Sequence, residues 1–368
     1  MRDTVLFILH LPPPIHGAAT MGKFIEDSKL INSNFNCQYI NLTTAKNLVD
    51  IGKFRFNKII DFINLLKTIR NKIKIHKPSL VYITPNAKGT PFYKDFIVVQ
   101  FVKSMGCNVV IHYHNKGVKE QQNKFLDNIL YKLFFKGINV ILLADILYND
   151  IKKYVSISNT YICPNGIPDK PGLAISEKRN NSIIQLLFLS NLLETKGVII
   201  LLDACKILKD KGYKFKCIFV GGESKEISSM RFNNEVNIRN LENFVEYHGK
   251  KYGSDKELYF RKSDIFIFPT YFETFGLVNL EAMQYKLPIV STNEGGIPDI
   301  VKNEETGFIV EKKNPIQLAE KIEILLNDEK LRIKMGVNGY NRFKSKYTIK
   351  HFENILNDIL MECIDQHK

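Results

Sequence analysis

The sequence contains no C-x-x-C pair, no G-x-G-x-x-G, no apolar run near the ~18 residues of a spanning helix, and no short-period repeat or low-complexity tract. Each absence removes a class of protein. The six cysteines, Cys37, Cys107, Cys163, Cys205, Cys217 and Cys363, stand singly, without histidines at metal-ligand spacing. That pattern excludes a zinc module or disulfide scaffold and fits reduced thiols in a cytosolic protein. Without the glycine fingerprint a dinucleotide site of the NAD type loses its phosphate turn. Without a long apolar run, any membrane contact must be peripheral. The opening MRDTVLFILHLPPP has a short apolar part, Asp3 in its basic region and a proline run in place of small cleavage-site residues, so it reads as a first buried strand rather than a leader.

What is present points to two domains and an anionic partner. A chain of 368 residues exceeds the size at which one core keeps growing. Its 52 Lys and Arg against 38 Asp and Glu give +14, which suits nucleic acid, an anionic membrane surface or a phosphorylated substrate.

Read in order, residues 5–9 form a strand, and LPPPIHGAATMG leads into a helix near Ala18, with Gly17 able to bring backbone close to a ligand. Residues 46–77 hold apolar side chains at helical spacing, Ile59, Ile60, Ile63, Leu66 and Ile69 among them, with nine Lys or Arg against two Asp. Such a helix suits an anionic lipid surface. It equally suits a core-packing helix with a solvated basic face. A strand at 80–84, a helix at 96–105 and a strand at 108–111 run into HYHNKG, whose two histidines at the strand's carboxyl end are expected either one on each face or one up into the cleft and one in the wall, with His114 the better placed for a ligand. Another strand follows at 140–143. Residues 168–182, rich in Pro, Gly and charge, read as a linker. A second series then repeats the first: strand 183–189, SNLLETKG, a helix to Lys211, strand 215–220 and Gly221-Gly222. The fold class is therefore α/β, two Rossmann-like α/β/α domains with parallel sheets, one spanning 1–168 and the other 180–345.

Residues 264–291, DIFIFPTYFETFGLVNLEAMQYKLPIVS, read as strand, loop, helix, strand. The loop lies at the carboxyl end of a strand, and the helix opening at Gly276 points unpaired N–H groups at whatever sits there, an anion by preference. Glu273 and Glu281 flank that helix start, and a carboxylate beside an anion site accepts hydrogen bonds from hydroxyls. Phosphate flanked by hydroxyls describes a nucleotide sugar.

The run E-TFGLVNL-E-AM, the proline before the next strand and then GGIPDIV resemble the signature of the retaining family 4 glycosyltransferases. The resemblance covers nearly the whole chain and is strong from about 183 to 310. It implies the GT-B architecture, with the two domains facing an interdomain cleft and a terminal helix, about 346–368, crossing back to the first. It implies retaining transfer from a nucleoside-diphosphate sugar to an acceptor hydroxyl, without a metal or other cofactor and without nucleic acid as a partner. Carried onto this chain, it gives Glu281 the ribose, Lys196 and the backbone at Phe275, Gly276 and Leu277 the diphosphate, and Glu273 and His114 the donor sugar. Lys196, Glu273 and His114 are the catalytic set. Asn191, Gly197 and Lys250 complete the donor site, and His16 and Gly17 form the loop facing acceptor and diphosphate. The chain departs from the family at Asn191, where an Arg is usual, and Lys250 and Arg261 are the cations that could compensate. The basic charge and the segment 46–77 fit a polyprenyl-diphosphate-linked acceptor at the inner face of the cytoplasmic membrane, as in surface polysaccharide assembly, with a soluble acceptor as the alternative. A nucleotide-sugar epimerase of the same fold and an inactive nucleotide-sugar-binding subunit are the rival readings.

Overall fold

A computed structural model describes residues 2–13, 16–42, 56–170 and 183–366. The chain divides into two compact units, Met1–Asn165 with Ile349–Lys368, and Gly166–Thr348. Residues 46–55 of the basic segment and 171–182 of the expected linker lie outside the described residues.

Unit 1 holds strands β1 (Thr4–Leu9), β2 (Asn36–Asn41), β3 (Leu80–Ile83), β4 (Val109–His112), β5 (Asn139–Leu142) and β6 (Thr160–Ile162). Its helices are α1 (Gly17–Asp27), α2 (Lys29–Asn34), α3 (Phe56–His76), α4 (Gly89–Ser104), α5 (Val118–Gln121), α6 (Phe125–Phe135) and α7 (Tyr148–Ile151). Unit 2 holds β7 (Ile184–Leu189), β8 (Phe215–Val220), β9 (Val245–Tyr247), β10 (Ile265–Phe268), β11 (Ile289–Thr292) and β12 (Gly307–Val310). Its helices are α8 (Val198–Asp210), α9 (Ser229–Ile238), α10 (Gly253–Lys262), α11 (Leu277–Gln284), α12 (Ile297–Ile300), α13 (Pro315–Asn327) and α14 (Glu329–Lys346). The last helix, α15 (Ile349–Asp365), packs on α2 and β3 of unit 1.

Both sheets are parallel throughout, and their central strands are apolar along their length because helices cover both faces. Val5–Leu9 and Ile265–Phe268 are fully buried. The strand orders differ. Sheet 1 runs β2-β1-β3-β4-β5-β6, and sheet 2 runs β12-β11-β10-β7-β8-β9. Sheet 2 thus has the doubly wound order of dinucleotide folds, reversing between β7 and β10. Sheet 1 has the flavodoxin-like order, reversing between β1 and β3. Ligands in open α/β sheets bind at those reversals, beyond the carboxyl ends of the strands.

Two local expectations shift and one strand was not anticipated. The helix expected over 96–105 begins at Gly89, because Gly89 takes φ 73° and Pro91 sits in the first turn, where its missing N–H costs nothing. In α3 the stripe that packs inward is Leu65, Ile69 and Ile73, whereas Ile59, Ile60 and Ile63 are exposed and Leu66 is half-buried. β2, with only Ile40 fully buried, has no apolar run by which to read it.

Candidate functional site

In unit 2 the loops after β7 and β10 meet at the sheet's reversal. Thr195 ties them together, its carbonyl accepting from the Tyr271 N–H at 2.9 Å and the Thr270 hydroxyl at 2.9 Å. Gly197 makes this approach feasible. It takes φ 83°, and a Cβ there would lie 2.1 Å from the Pro269 carbonyl oxygen. Gly197 therefore acts by close packing and by opening α8 as its N-cap.

The seam brings Lys196 to Glu273. The Lys196 ammonium lies 2.8 Å from Glu273 Oε2 and donates to the Phe272 carbonyl at 3.3 Å, while Glu273 Oε1 accepts from the Thr274 N–H at 2.9 Å and the Phe275 N–H at 3.4 Å. Both side chains remain about one-fifth exposed, so the pair is reachable. The Phe275 ring is buried, edge-on to Tyr347, and Leu277 is half-buried, so these residues offer backbone rather than side chains. Gly276 takes φ 89° and gives no side-chain cap, which leaves the first-turn N–H groups of α11 without a capping side chain.

The GGIPD segment clamps this loop. A Cβ on Gly295 would lie 2.3 Å from the Glu273 carbonyl oxygen, and the Gly296 N–H donates to the Thr274 carbonyl at 2.7 Å. Buried Glu294 accepts from the Glu273 N–H at 3.3 Å and pairs with Lys312 at 2.9 Å. One turn into α11, Glu281 is held by Lys256 of α10, whose ammonium lies 2.7 Å from each carboxylate oxygen.

Asn191 brings no charge, and its Oδ1 accepts from the Gly222 N–H at 3.1 Å. The Lys250 stem passes over the same glycine, its Cδ 3.5 Å from where a Cβ would stand, and its ammonium sits over the Tyr252 ring. Arg261 is engaged elsewhere, stacked over Tyr285 and 3.9 Å from Glu257.

Reading the sequence missed Lys256, Glu294, Lys312 and Asn279. Asn279 had a visible signal, an amide between apolar residues in the first turn of α11. It is fully buried, and neither its Oδ1 nor its Nδ2 has a hydrogen-bond partner among the described residues. Lys256 and Lys312 belong to no motif, and only the fold brings them to their carboxylates.

Unit 1 gathers histidines at its own strand ends. His10 follows β1, and His16 caps α1, its Nδ1 accepting from the Ala19 N–H at 3.3 Å; Gly17 is the first helical residue. The two rings lie 5.9 Å apart. α1 approaches closely through Gly22, where a Cβ would lie 2.1 Å from the His10 carbonyl oxygen. His112 is buried in the sheet wall, its Nδ1 2.7 Å from the Tyr82 hydroxyl. His114, beyond the strand, lies 4.3 Å from it, and its ring nitrogens are shielded from solvent beside the Asn165 side chain. Burial, with His10 and His16 as like-charged neighbours, lowers His114 to about 3. Burial, with Lys94 nearby, does the same to His10, and burial also lowers His16. His10 and His114 are therefore neutral at pH 7, each offering one donor and one acceptor.

A profile of the glycosyl transferases group 1 family matches residues 169–342, essentially the whole of unit 2. Unit 2 belongs to the glycosyl transferases group 1 family. Among curated relatives, the capsular polysaccharide biosynthesis glycosyltransferase CapM of Staphylococcus aureus is 35% identical over 179 residues, 48% of this chain and 46% of that protein. The N,N'-diacetylbacillosaminyl-diphospho-undecaprenol alpha-1,3-N-acetylgalactosaminyltransferase of Campylobacter jejuni is 28% identical over 69% of this chain and 67% of its own length. The first two curated relatives are matched over less than half of their own length. The fold is shared more widely. Sucrose-phosphate synthase from Thermosynechococcus elongatus superposes with TM-score 0.77 over 100% of both chains at 17% identity. Anabaena HepE in complex with UDP does so with TM-score 0.77 over 98% of this chain and 100% of its own, at 16% identity. The chain has the GT-B fold, two α/β units with parallel sheets.

Proposed function

We propose that the protein is a glycosyltransferase that moves a sugar, with retention, from a nucleoside diphosphate to an acceptor hydroxyl. The observation that carries the reading is the Lys196–Glu273 pair at the β7/β10 reversal, beside the uncapped start of α11. A cation and free backbone N–H groups suit a diphosphate leaving group, and a carboxylate at the same point suits sugar hydroxyls. Lys196 and the first turn of α11 hold the diphosphate and take up the charge that develops as the glycosidic bond breaks. Glu273 receives donor-sugar hydroxyls once the diphosphate draws Lys196 away. Glu281, kept in place by Lys256, accepts the ribose hydroxyls. Lys250 supplies the charge that Asn191 lacks, since its stem already lies against the Asn191–Gly222 contact. His114 gives a neutral hydrogen bond to the donor sugar, and His16 and Gly17 stand on the acceptor side.

The acceptor we infer is a glycan on a polyprenyl diphosphate at the inner face of the cytoplasmic membrane. The CapM and Campylobacter relatives, named for capsule synthesis and for a diphospho-undecaprenol acceptor, support it. So does the formal charge of +14. No helix of the described residues is long and apolar enough to cross a membrane, so the contact we infer is peripheral.

Incubation with nucleotide sugars, with and without a lipid-linked acceptor, tests the reading. Transfer requires both substrates, whereas an epimerase converts the donor alone. A binding subunit gives neither product and contradicts the proposal.

A further inference from the structure

Three helices of unit 1, α3, α4 and α6, form one layer. The Tyr93 hydroxyl of α4 donates to Asp127 of α6 at 2.8 Å, the Lys103 ammonium donates to the Leu133 and Lys136 carbonyls at 2.9 and 2.7 Å, and α3 packs against α4. A globular helix ordinarily turns one apolar stripe inward and a polar face outward. α6 is apolar on both sides. Tyr131, Phe134 and Phe135 are buried, yet Phe125, Leu126, Ile129 and Leu133 face solvent, Phe125 at 83% and Leu126 at 59% exposure. These four share one side of the helix at the spacing of successive turns. Ile97 on α4 and Ile63 on α3 are exposed in the same layer.

The charges around this surface are of one sign. Lys132 on α6, Lys136 just after it, and Lys67, Arg70 and Lys74 on α3 are exposed. The acid of α6, Asp127, is buried under Tyr93, and that of α4, Asp95, is fully buried. The one acid of α3, Asp61, lies about 160° around the helix from Ile63.

We propose that this face, centred on Phe125, Leu126, Ile129 and Leu133 and flanked by Lys132 and Lys136, docks on an anionic lipid bilayer. Apolar side chains ringed by lysines enter the headgroup boundary while the ammoniums meet lipid phosphates. The charge selects the occupant. A second copy would bring the same basic rim against itself, and like charges would oppose the contact, whereas an anionic surface attracts it. The inference rests on the acceptor being lipid-borne only for its purpose. The physical contact needs neither donor nor acceptor.

The test is co-sedimentation of the full chain with vesicles of phosphatidylglycerol and phosphatidylcholine, and with phosphatidylcholine alone, at low and high salt. Binding to the anionic vesicles, falling with salt and weak on the neutral ones, is expected. Phe125→Ser with Leu133→Ser, and separately Lys132→Gln with Lys136→Gln, should each lower the partition constant about tenfold or more. All four side chains are exposed, so circular dichroism should be unchanged. Nucleotide binding, measured in parallel, should also be unchanged, which separates failure of this proposal from failure of the transferase reading. Protein that stays in the supernatant overturns the proposal. So do variants that bind like wild type, and so does a wild-type dimer dissociated by the serine pair, which would assign the face to a second copy.

Discussion

At the reversal of sheet 1, between β1 and β3, stand His10 and the loop of His16; at the reversal of sheet 2, between β7 and β10, stand Lys196 and Glu273 as an ion pair. His10 is buried and neutral, so it offers hydrogen bonds without charge, the chemistry of hydroxyl groups. The Lys196–Glu273 pair is partly exposed, and its cation is available to an anion that can displace the carboxylate. The same architecture thus presents a neutral surface in one unit and a charged one in the other, and it is the side chains placed at each reversal that make the difference.

The largest expected effect lies in unit 2. Lys196→Ala should lower kcat by about a hundredfold or more, the scale of removing one preorganised electrostatic group, with steady-state turnover as the measurement. Near-normal turnover would pass the role to Lys250. Gly197→Ala should destabilise unit 2 by roughly 2–4 kcal/mol in urea unfolding, because it sets a Cβ against the Pro269 carbonyl at a positive φ. The two glutamates should then separate. Glu281→Ala should raise the donor KM by about tenfold or more with kcat nearly kept, since ribose contacts are equal in ground and transition states, whereas Glu273→Ala should act mainly on kcat. Identical kinetic patterns from the two variants would collapse the distinction.

Unit 1 should answer to pH instead. The unfolded chain protonates its histidines near 6.5, whereas folded His10 and His114 do so only near 3. Stability is therefore complete above about 6.5 and is lost as pH falls toward 3, at up to about 1.4 kcal/mol per pH unit for each histidine. Urea unfolding between pH 5 and 8 checks this, and His114→Gln should flatten the slope. A slope untouched by that variant would remove His114 from the cause. The smallest effect concerns Lys250. Lys250→Ala should cost about tenfold in kcat/KM, and adding Asn191→Arg should recover most of it if one positive charge is what the position needs.

Much of unit 2 could be read from its residues because its signals are local. β10 is an unbroken apolar run of four, Gly276 opens the helix, and Glu273, Glu281 and GGIPD lie within one stretch of chain. The Lys196–Glu273 contact joins residues 77 apart and follows only from the sheet order. Lys256 and Lys312 were missed for the same reason, as was the division of labour in which Gly197 and Phe275 serve packing while their neighbours carry polar groups. In unit 1 the expectation of one histidine on each face fails, because residues two apart on an extended chain share a face and the His112 and His114 rings lie 4.3 Å apart; what holds is that His112 ends the strand in the sheet wall and His114 lies beyond it. The outward apolar side of α6 escaped notice because an apolar helix reads as core until its exposure is known. In α3 the spacing marked a helix, but which apolar residues turn inward was set by packing against the rest of unit 1.

The central claim is that the β7/β10 crevice of unit 2 holds a diphosphate through Lys196. Calorimetric titration of the full chain with a nucleoside diphosphate and the matching monophosphate, on wild type and Lys196→Ala, addresses it most directly. The account predicts that the diphosphate of the preferred nucleoside binds wild type at least about tenfold tighter than the monophosphate, and that the variant loses most of this gap. Equal affinities in the wild type, or a gap that survives Lys196→Ala intact, would contradict it.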